Sequence, residues 1–552
     1  MQKVLTAAQM REVDRLTTER YGIPSIILME NAAHAVARVI TEKLGGSVQG
    51  KSILILCGKG NNGGDGAALA RILSEQGGDV WAVLLGKVAD AKGDARTNFD
   101  LIQRKLEEPA NFDNHASPEL GRIRFLEQTD GEYLRKRFRT DRPPDVVVDA
   151  LVGTGFSGIL HDNIAQVIRT PQWFEEKADR ENEFLLVSVD IPTGLNSDRP
   201  ELPDGDHVMA DFTVTFTAPK AANVAPPASS ANGEVIVANI GTPSLLINEV
   251  NSQLFVTESY DIKAWLHQTA FDNDSYKNKR GHALLIAGSP DYSGAAVLAG
   301  NAAMRSGVGL VTLACPENAK TEIASRLLPE VILSTIESPD FDEHVSKADA
   351  IAVGCGLDAN DAGVEKLVRE VVENRSVPVI VDAGALWFYS PFETPLQKPA
   401  RSKGTRQPDS SPLILTPHEG EFLRLLGTED KDAIKDRVAA VRDFAVKHKV
   451  ILVLKGERVL IGEPGGKVVV NPTGNSGLGK AGNGDTLTGI LAGFVAQAVK
   501  MEIDVFETVV AAVYVAGMAG DVAEKKYGKR VMTASDVREC LVDVFESLEA
   551  AK

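Results

Sequence analysis

Ser52-Ile53-Leu54-Ile55-Leu56-Cys57-Gly58-Lys59-Gly60-Asn61-Asn62-Gly63-Gly64-Asp65-Gly66 runs from an apolar, β-branched segment straight into a glycine-rich turn, and the helical pattern ALARILSEQG follows. An apolar run without alternation predicts a strand buried on both faces. Strand, turn and helix together are the unit of a parallel sheet covered by helices. The unit recurs. Apolar runs fall at 80–85, 145–149, 184–190, 212–216 and 235–237 in the first half of the chain. In the second half they fall at 283–287, 310–314, 350–353, 377–382, 413–416 and 450–455, followed by a hairpin-like pair at 459–462 and 467–471. The fold class is α/β. Between the two series, 239–279 is irregular and polar toward its end, which predicts a boundary near residue 250, with a first domain over 1–245 and a second over 255–552. Pro/Ser-rich patches at 226–230 and 401–412 read as surface loops.

Composition limits the function classes. With 552 residues the chain is too long for one ordinary core. Hydrophobic residues at 43% and charged residues at 24% exclude disorder over most of the length. A net charge of −17 argues against nucleic acid or an anionic membrane as partner, although a local basic pocket can still hold phosphates. Four cysteines, at 57, 315, 355 and 540, have no short spacing, so neither a zinc site nor a disulfide framework is expected. The opening MQKVLTAAQMREVDRL lacks the apolar core of a signal peptide. The apolar stretch 489–499 is too short for a bilayer, and 506–519 reads as a core helix. A soluble cytoplasmic protein is expected.

Gly58, Gly60 and Gly63 form one G-x-G-x-x-G, and Gly153, Gly155 and Gly158 form another after the run ending at Asp149. Neither is a dinucleotide fingerprint by itself, because the strand after the first ends Leu84-Leu85-Gly86-Lys87 without the ribose-binding acid. Together they put backbone N–H groups from two glycine-rich turns at one sheet edge, where ligand crevices form. A third strand end, Val189-Asp190-Ile191-Pro192-Thr193-Gly194, adds carboxylate and hydroxyl oxygens, a set suited to a hard cation.

The three segments NNGGDG, DALVGTGFSG and VDIPTGLNSD, in that order, resemble the N-terminal domain of the NAD(P)H-hydrate epimerases over residues 1–240. The resemblance implies a Rossmann-like three-layer domain with a potassium ion at Asn62, Asp149 and Thr193, the last standing where a serine is common. It implies substrate contacts at Asn61, Asn62, Gly63, Gly64, Asp65, Gly153, Thr154, Gly155, Phe156, Ser157, Gly158, Ile159 and Asp190. Asp190 is the implied acid–base residue.

In the second half, Gly474 and Gly479-Lys480 have Walker A spacing, but Ala481 follows where a magnesium-binding hydroxyl is required. The P-loop is rejected. A helix starting at Gly484-Asp485 and reaching about Lys500 instead offers its free N–H groups and positive dipole end to an anion, with Asp485 at the lip. A carboxylate there can take a proton from a substrate hydroxyl while the hole holds a transferring phosphoryl group, and it can equally serve as an ordinary cap.

The AGNGD turn resembles the anion hole of ribokinase-like kinases. Ala287-Gly288-Ser289, Ser293-Gly294-Ala295-Ala296, Gly354-Cys355-Gly356-Leu357, Thr416-Pro417-His418-Glu419-Gly420-Glu421 and Lys455-Gly456 narrow the resemblance to the ADP- or ATP-dependent NAD(P)H-hydrate dehydratases over about 255–540. It implies substrate contacts at Ala295, Gly356, His418 and Asp485, with Asp485 catalytic. It implies nucleotide contacts at Lys455, Gly456, Glu457, Arg458, Val459 and Gly484. Two departures bear on the nucleotide: Cys355 stands where Pro is usual, and Lys480-Ala481-Gly482-Asn483 replaces a Thr/Gly-rich run. Read from its residues alone, His418 is a turn histidine, since Phe422 four positions on excludes H-E-x-x-H.

The two resemblances imply cofactor repair. The first domain would interconvert the R and S hydrates of NADH and NADPH, and the second would dehydrate the S form with ADP and magnesium, giving AMP and phosphate. A homo-oligomer is expected. The alternatives are a vitamin or sugar kinase fused to a nucleotide-binding domain, and a non-enzymatic binding module.

Overall fold

The computed structural model describes residues 1–107, 121–137, 144–169, 184–395 and 411–550, so residues 401–410 of the expected loop at 401–412 lie outside the described residues. The chain forms two compact units, one of Lys3–Ser252 and one of Gln253–Lys552 together with Met1–Gln2.

The first unit carries β1 (Ser52–Cys57), β2 (Asp79–Leu85), β3 (Arg122–Gln128), β4 (Val146–Ala150), β5 (Leu185–Val189), β6 (Phe212–Phe216) and β7 (Glu234–Ala238). They lie in the order β3-β2-β1-β4-β5-β6-β7, with every pair parallel. In β1, Ile53, Ile55 and Cys57 enter one apolar cluster while Leu54 and Leu56 enter another, so the strand is covered on both faces. Each such side chain withdrawn from water contributes roughly 1.5–3 kcal/mol. Helices α1 (Ala7–Tyr21), α2 (Ser25–Lys43), α3 (Asn61–Glu75) and α4 (Gly93–Glu107) belong to this unit, and α2, α3 and α4 pack their buried residues into the first cluster.

The second unit carries β8 (Leu254–Val256), β9 (His282–Ile286), β10 (Leu310–Cys315), β11 (Ile332–Thr335), β12 (Ala350–Val353), β13 (Val379–Val381), β14 (Leu413–Leu415), β15 (Ile451–Leu454), β16 (Leu460–Gly462) and β17 (Val468–Val470). Their order is β8-β17-β16-β15-β14-β13-β12-β9-β10-β11. The run from β15 through β14, β13, β12, β9 and β10 to β11 is parallel, whereas β16 is antiparallel to both neighbours. Its helices include α5 (Ser293–Met304), α6 (Glu419–Leu426), α7 (Asn483–Met501) and α8 (Val505–Tyr527). By length and composition α8 is apolar enough to cross a membrane, but 67% of its most apolar window is buried against the unit's own core.

Of the strands given above, three were not legible in the sequence. β3 reads RIRFLEQ, a half-exposed sheet-edge strand whose charges mask its pattern. β8 is three apolar residues between polar Gln253 and Thr257, and β11 ends in Ser334-Thr335 with Ile332 exposed, so neither stands out as a buried apolar run. The supposedly irregular 239–279 holds β8 and the helices Ser244–Glu249 and Ser259–Gln268. The patch at 226–230 is not a surface loop: Ala228 packs with Ile191, Leu195, Ala222 and Ala231, and Ser229 is buried beside it.

Candidate functional site

In each unit, parallel strands deliver their carboxyl ends to one edge, and the chemistry-bearing residues follow those ends. In the first unit these are Gly58 after β1, Leu151 to Gly153 after β4, Asp190 after β5 and Lys220 shortly after β6. Helix α3 begins at Asn61, not after Gly66, so Asn61, Asn62, Gly63, Gly64 and Asp65 are helical. The glycines allow it. A Cβ on Gly63 would stand 1.7 Å from the Gly58 carbonyl oxygen, and one on Gly66 2.8 Å from Ala150 Cβ and 2.9 Å from Cys57 Sγ. The helix therefore starts hard against the two strands.

Asp149 is fully buried at the end of β4. Its Oδ1 accepts from the Thr193 hydroxyl at 2.6 Å and the Leu151 N–H at 3.3 Å, and its Oδ2 accepts from the Ser188 hydroxyl at 2.9 Å and the Thr193 N–H at 2.8 Å. Burial raises its pKa above the usual carboxylate value, against these hydrogen bonds. Thr193 Oγ1 accepts from the Val152 N–H at 3.1 Å, and Asn62 faces Gly153 with its buried amide nitrogen unpartnered. The Asn62 side chain thus lies against the turn that follows Asp149, and Thr193 reaches the same turn through Val152. Along the second glycine turn, Gly153 meets Asn62, the Thr154 carbonyl accepts from Ser197 at 3.4 Å and Phe156 is partly packed on the core. Gly155 and Gly158 have open space around them, Ser157 is exposed, and Ile159 stands 92% exposed.

Asp190 takes a positive φ of 66°, a conformation that non-glycine residues adopt at a cost and that clusters at functional sites. It is held by the Asp190 N–H donating to the Val214 carbonyl at 2.8 Å and by Asn223 Nδ2 donating to the Asp190 carbonyl at 3.3 Å. Asp190 Oδ1 accepts from Lys220 Nζ at 2.5 Å, the Thr215 hydroxyl at 3.0 Å and the Phe216 N–H at 3.3 Å. Lys220 is only 1% exposed. Asp65, also buried, has a carboxyl raised well above its ordinary value by burial, then by Asp190 and Asp14.

In the second unit, α7 begins at Asn483 behind Gly482 (φ 90°), with Asp485 in its first turn. Burial, then the Asp382 carboxylate, push Asp485 up to about 6, against the Cys355 thiol and Lys455. Asp382 follows β13 and is buried, accepting from Lys455 Nζ at 2.8 Å and the Thr488 hydroxyl at 2.7 Å. Burial alone would raise it, but the charge and hydrogen bond of Lys455, with the hydroxyls of Thr488 and Thr416, hold it below the usual range. Lys455 also lies 3.9 Å from Glu421, and a Cβ on Gly484 would be 3.5 Å from its Nζ. The ammonium thus stands at the amino end of α7. Cys355 Sγ lies 4.0 Å from Asp382 Oδ2, and burial, then the Asp485 and Asp382 carboxylates, drive the thiol well above its ordinary value. A Cβ on Gly356 (φ 68°) would touch Ala295 Cβ at 2.9 Å and Tyr292 Cβ at 3.1 Å, which brings Ala295 to this edge.

His418 caps α6: its Nδ1 accepts from the N–H groups of Gly420 and Glu421, and its own N–H donates to Glu421 at 2.8 Å. Nε2 lies 3.5 Å from Glu421 Oε1, and the side chain is 56% exposed. Gly456 adjoins Arg437, Glu457 is exposed, Val459 is partly packed on the core, and Arg458 Nη1 donates to the Pro472 carbonyl at 3.1 Å. Lys480 turns away from the anion hole, donating to the carbonyls of Arg530 at 2.7 Å and Met532 at 2.9 Å. Lys220 and Asp382 escaped the reading of site residues. The available signal was position: Asp382, like Asp149 and Asp190, closes an apolar run, and Lys220 lies four residues beyond β6.

The fold is that of a two-domain α/β enzyme, one unit with a buried carboxylate–ammonium pair at its strand ends and the other with a carboxylate in the first turn of a helix beside an ammonium. Sequence profiles described as "YjeF-related protein N-terminus" and "NAD(P)H-hydrate dehydratase" match residues 25–222 and 283–542. The chain is 36% identical to the bifunctional NAD(P)H-hydrate repair enzyme Nnr of Moorella thermoacetica, covering 99% of this chain and 97% of that one. It is 32% identical to the enzyme of the same name from Salinibacter ruber, covering 98% and 95%. The ADP/ATP-dependent NAD(P)H-hydrate dehydratase of Bacillus subtilis, co-crystallised with ATP and magnesium, is 32% identical with a TM-score of 0.44, covering 53% of this chain and 98% of that one. This chain belongs to the bifunctional NAD(P)H-hydrate repair enzyme family.

Proposed function

We propose that the chain returns hydrated NADH and NADPH to their working forms, with the first domain interconverting the R and S hydrates and the second dehydrating the S form with ADP. The observation that carries this reading is Asp485, a carboxylate with a pKa of about 6 in the first turn of α7, beside the Lys455 ammonium. Asp485 takes the proton of the ring hydroxyl, and the freed oxygen attacks the terminal phosphorus of ADP as the bond to AMP breaks. The N–H groups at the start of α7 and Lys455 stabilise the charge on the transferring phosphoryl group. Loss of a proton from the adjacent ring carbon then expels phosphate and restores the double bond. Phosphorylation turns hydroxide, a poor leaving group, into a good one.

Magnesium would enter as a companion of the nucleotide phosphates. In the first domain, Asn62, Asp149 and Thr193 would hold potassium, which would supply a fixed positive charge at that corner of the site. The buried, unpartnered amide of Asn62 supports that assignment. Asp190, ion-paired with Lys220, moves the proton of the ring hydroxyl during epimerisation. The test is to give the purified chain mixed hydrate epimers with ADP and magnesium. Recovery of dihydronicotinamide absorbance beyond the amount of the S epimer is expected. Accumulation of a stable phosphorylated product would favour a kinase instead.

A further inference from the structure

Helix α1 lies over the segment that follows β6: Met10 and Val13 share a buried cluster with Ala218, and the Leu5 N–H donates to the Pro219 carbonyl at 2.9 Å. This places Asp14, the residue after Val13, close enough to Lys220 and Asp190 to sense both charges. Asp14 is half-buried, and its Oδ1 is withdrawn from solvent with no hydrogen-bond partner. A buried carboxyl oxygen left unpaired is costly, and a site that keeps one calls for an explanation. The charged groups around it are Lys220, Asp190 and Asp65. Burial, with the neighbouring carboxylates, raises both Asp14 and Asp65 beside the single Lys220 ammonium, so these two carboxyls hold protons more readily than exposed ones.

Inversion of the ring carbon requires two proton carriers. The hydroxyl proton leaves to a base, the bond from that carbon to the ring nitrogen breaks with its electron pair passing to nitrogen, and an acid protonates the nitrogen. Rotation about the neighbouring carbon–carbon bond, followed by reversal of these steps, closes the ring with the other configuration and returns both protons. Asp190 can serve as one carrier. We propose that Asp14 is the second catalytic carboxyl of the epimerase site, giving a proton to the ring nitrogen as Asp190 takes one from the hydroxyl. Burial, with Asp190 adding to it against Lys220, lifts Asp14 to about 6, where it can both give and regain a proton. The inference rests on the epimerase reading of the first domain.

The test follows interconversion of a purified single hydrate epimer by the full-length chain from pH 5 to 9, for wild type and Asp14→Asn. Wild-type kcat/KM is expected to fall above pH 6 as Asp14 loses its proton. Asp14→Asn should lower the rate about 10²-fold or more and abolish that fall, while ADP-dependent dehydration of the S epimer continues. Asp14→Glu should retain the fall at a shifted pH. A folded Asp14→Asn chain with the wild-type rate, or a slower one with the same fall, would overturn the proposal. If the Asn variant does not fold, the wild-type profile decides, because a profile flat above pH 6 overturns it equally. Absence of any wild-type epimerisation would instead strike the epimerase reading itself.

Discussion

Lys455→Met is expected to destabilise the second domain by about 3 kcal/mol or more. The Asp382 side chain is 1% exposed and that of Lys455 20% exposed, with 2.8 Å between them. Removing one partner of a buried ion pair costs about 3–5 kcal/mol, because the other charge stays behind unpaired. The partial exposure of Lys455 and the remaining Thr488 hydroxyl bond at 2.7 Å favour the lower end. In wild type the Asp382 pKa is depressed on folding, so its contribution is present above the ordinary carboxylate pKa and is lost as pH falls through the folded value. Without Lys455 burial dominates and the carboxyl is pushed up, so the deficit of the variant is largest at neutral pH and shrinks toward pH 4. Asp382→Asn combined with Lys455→Met should regain most of the loss. Urea unfolding followed by tryptophan fluorescence measures this, since Trp265 is buried in the second domain and stacked on Phe494 at 4.3 Å. An unmoved transition, or a deficit independent of pH, would refute the reasoning.

Dehydration should fall below pH 6 as Asp485 gains its proton, and Asp485→Asn should lower its rate by about 10²–10⁴-fold while leaving epimerisation intact, as paired assays of the two reactions would show. Gly63→Ala should unfold the first domain or displace the start of α3, because the new methyl would stand 1.7 Å from a backbone oxygen, whereas Gly155→Ala, with open space around it, should leave the melting curve unchanged. Thr193→Val removes the hydroxyl bonded to Asp149 at 2.6 Å, so any potassium dependence of epimerisation should weaken while dehydration stays unaffected. Titration of both activities with potassium against sodium checks this.

The α/β class was legible because β12, and β1 after its first residue, are apolar throughout, which a sheet covered on both faces requires. The helix start at Asp485 was legible to within two residues, since glycine and a short acidic side chain mark such a turn locally. By contrast β3, with charges facing outward at a sheet edge, and β8 and β11, short and set among polar or exposed residues, do not stand out as buried apolar runs. The early start of α3 depended on how closely two strands approach Gly63 and Gly66, a distance that sequence does not encode. Sequence by itself determined which residues could carry a proton, accept a cation or let a backbone come close, because those are properties of side chains and local turns. Tertiary structure decided the partnerships: Lys220 with Asp190 across 30 positions, and Lys455 with Asp382 across 73. Charges that lie far apart along the chain are drawn together when parallel strands end at one edge, and burial there makes each depend on the other.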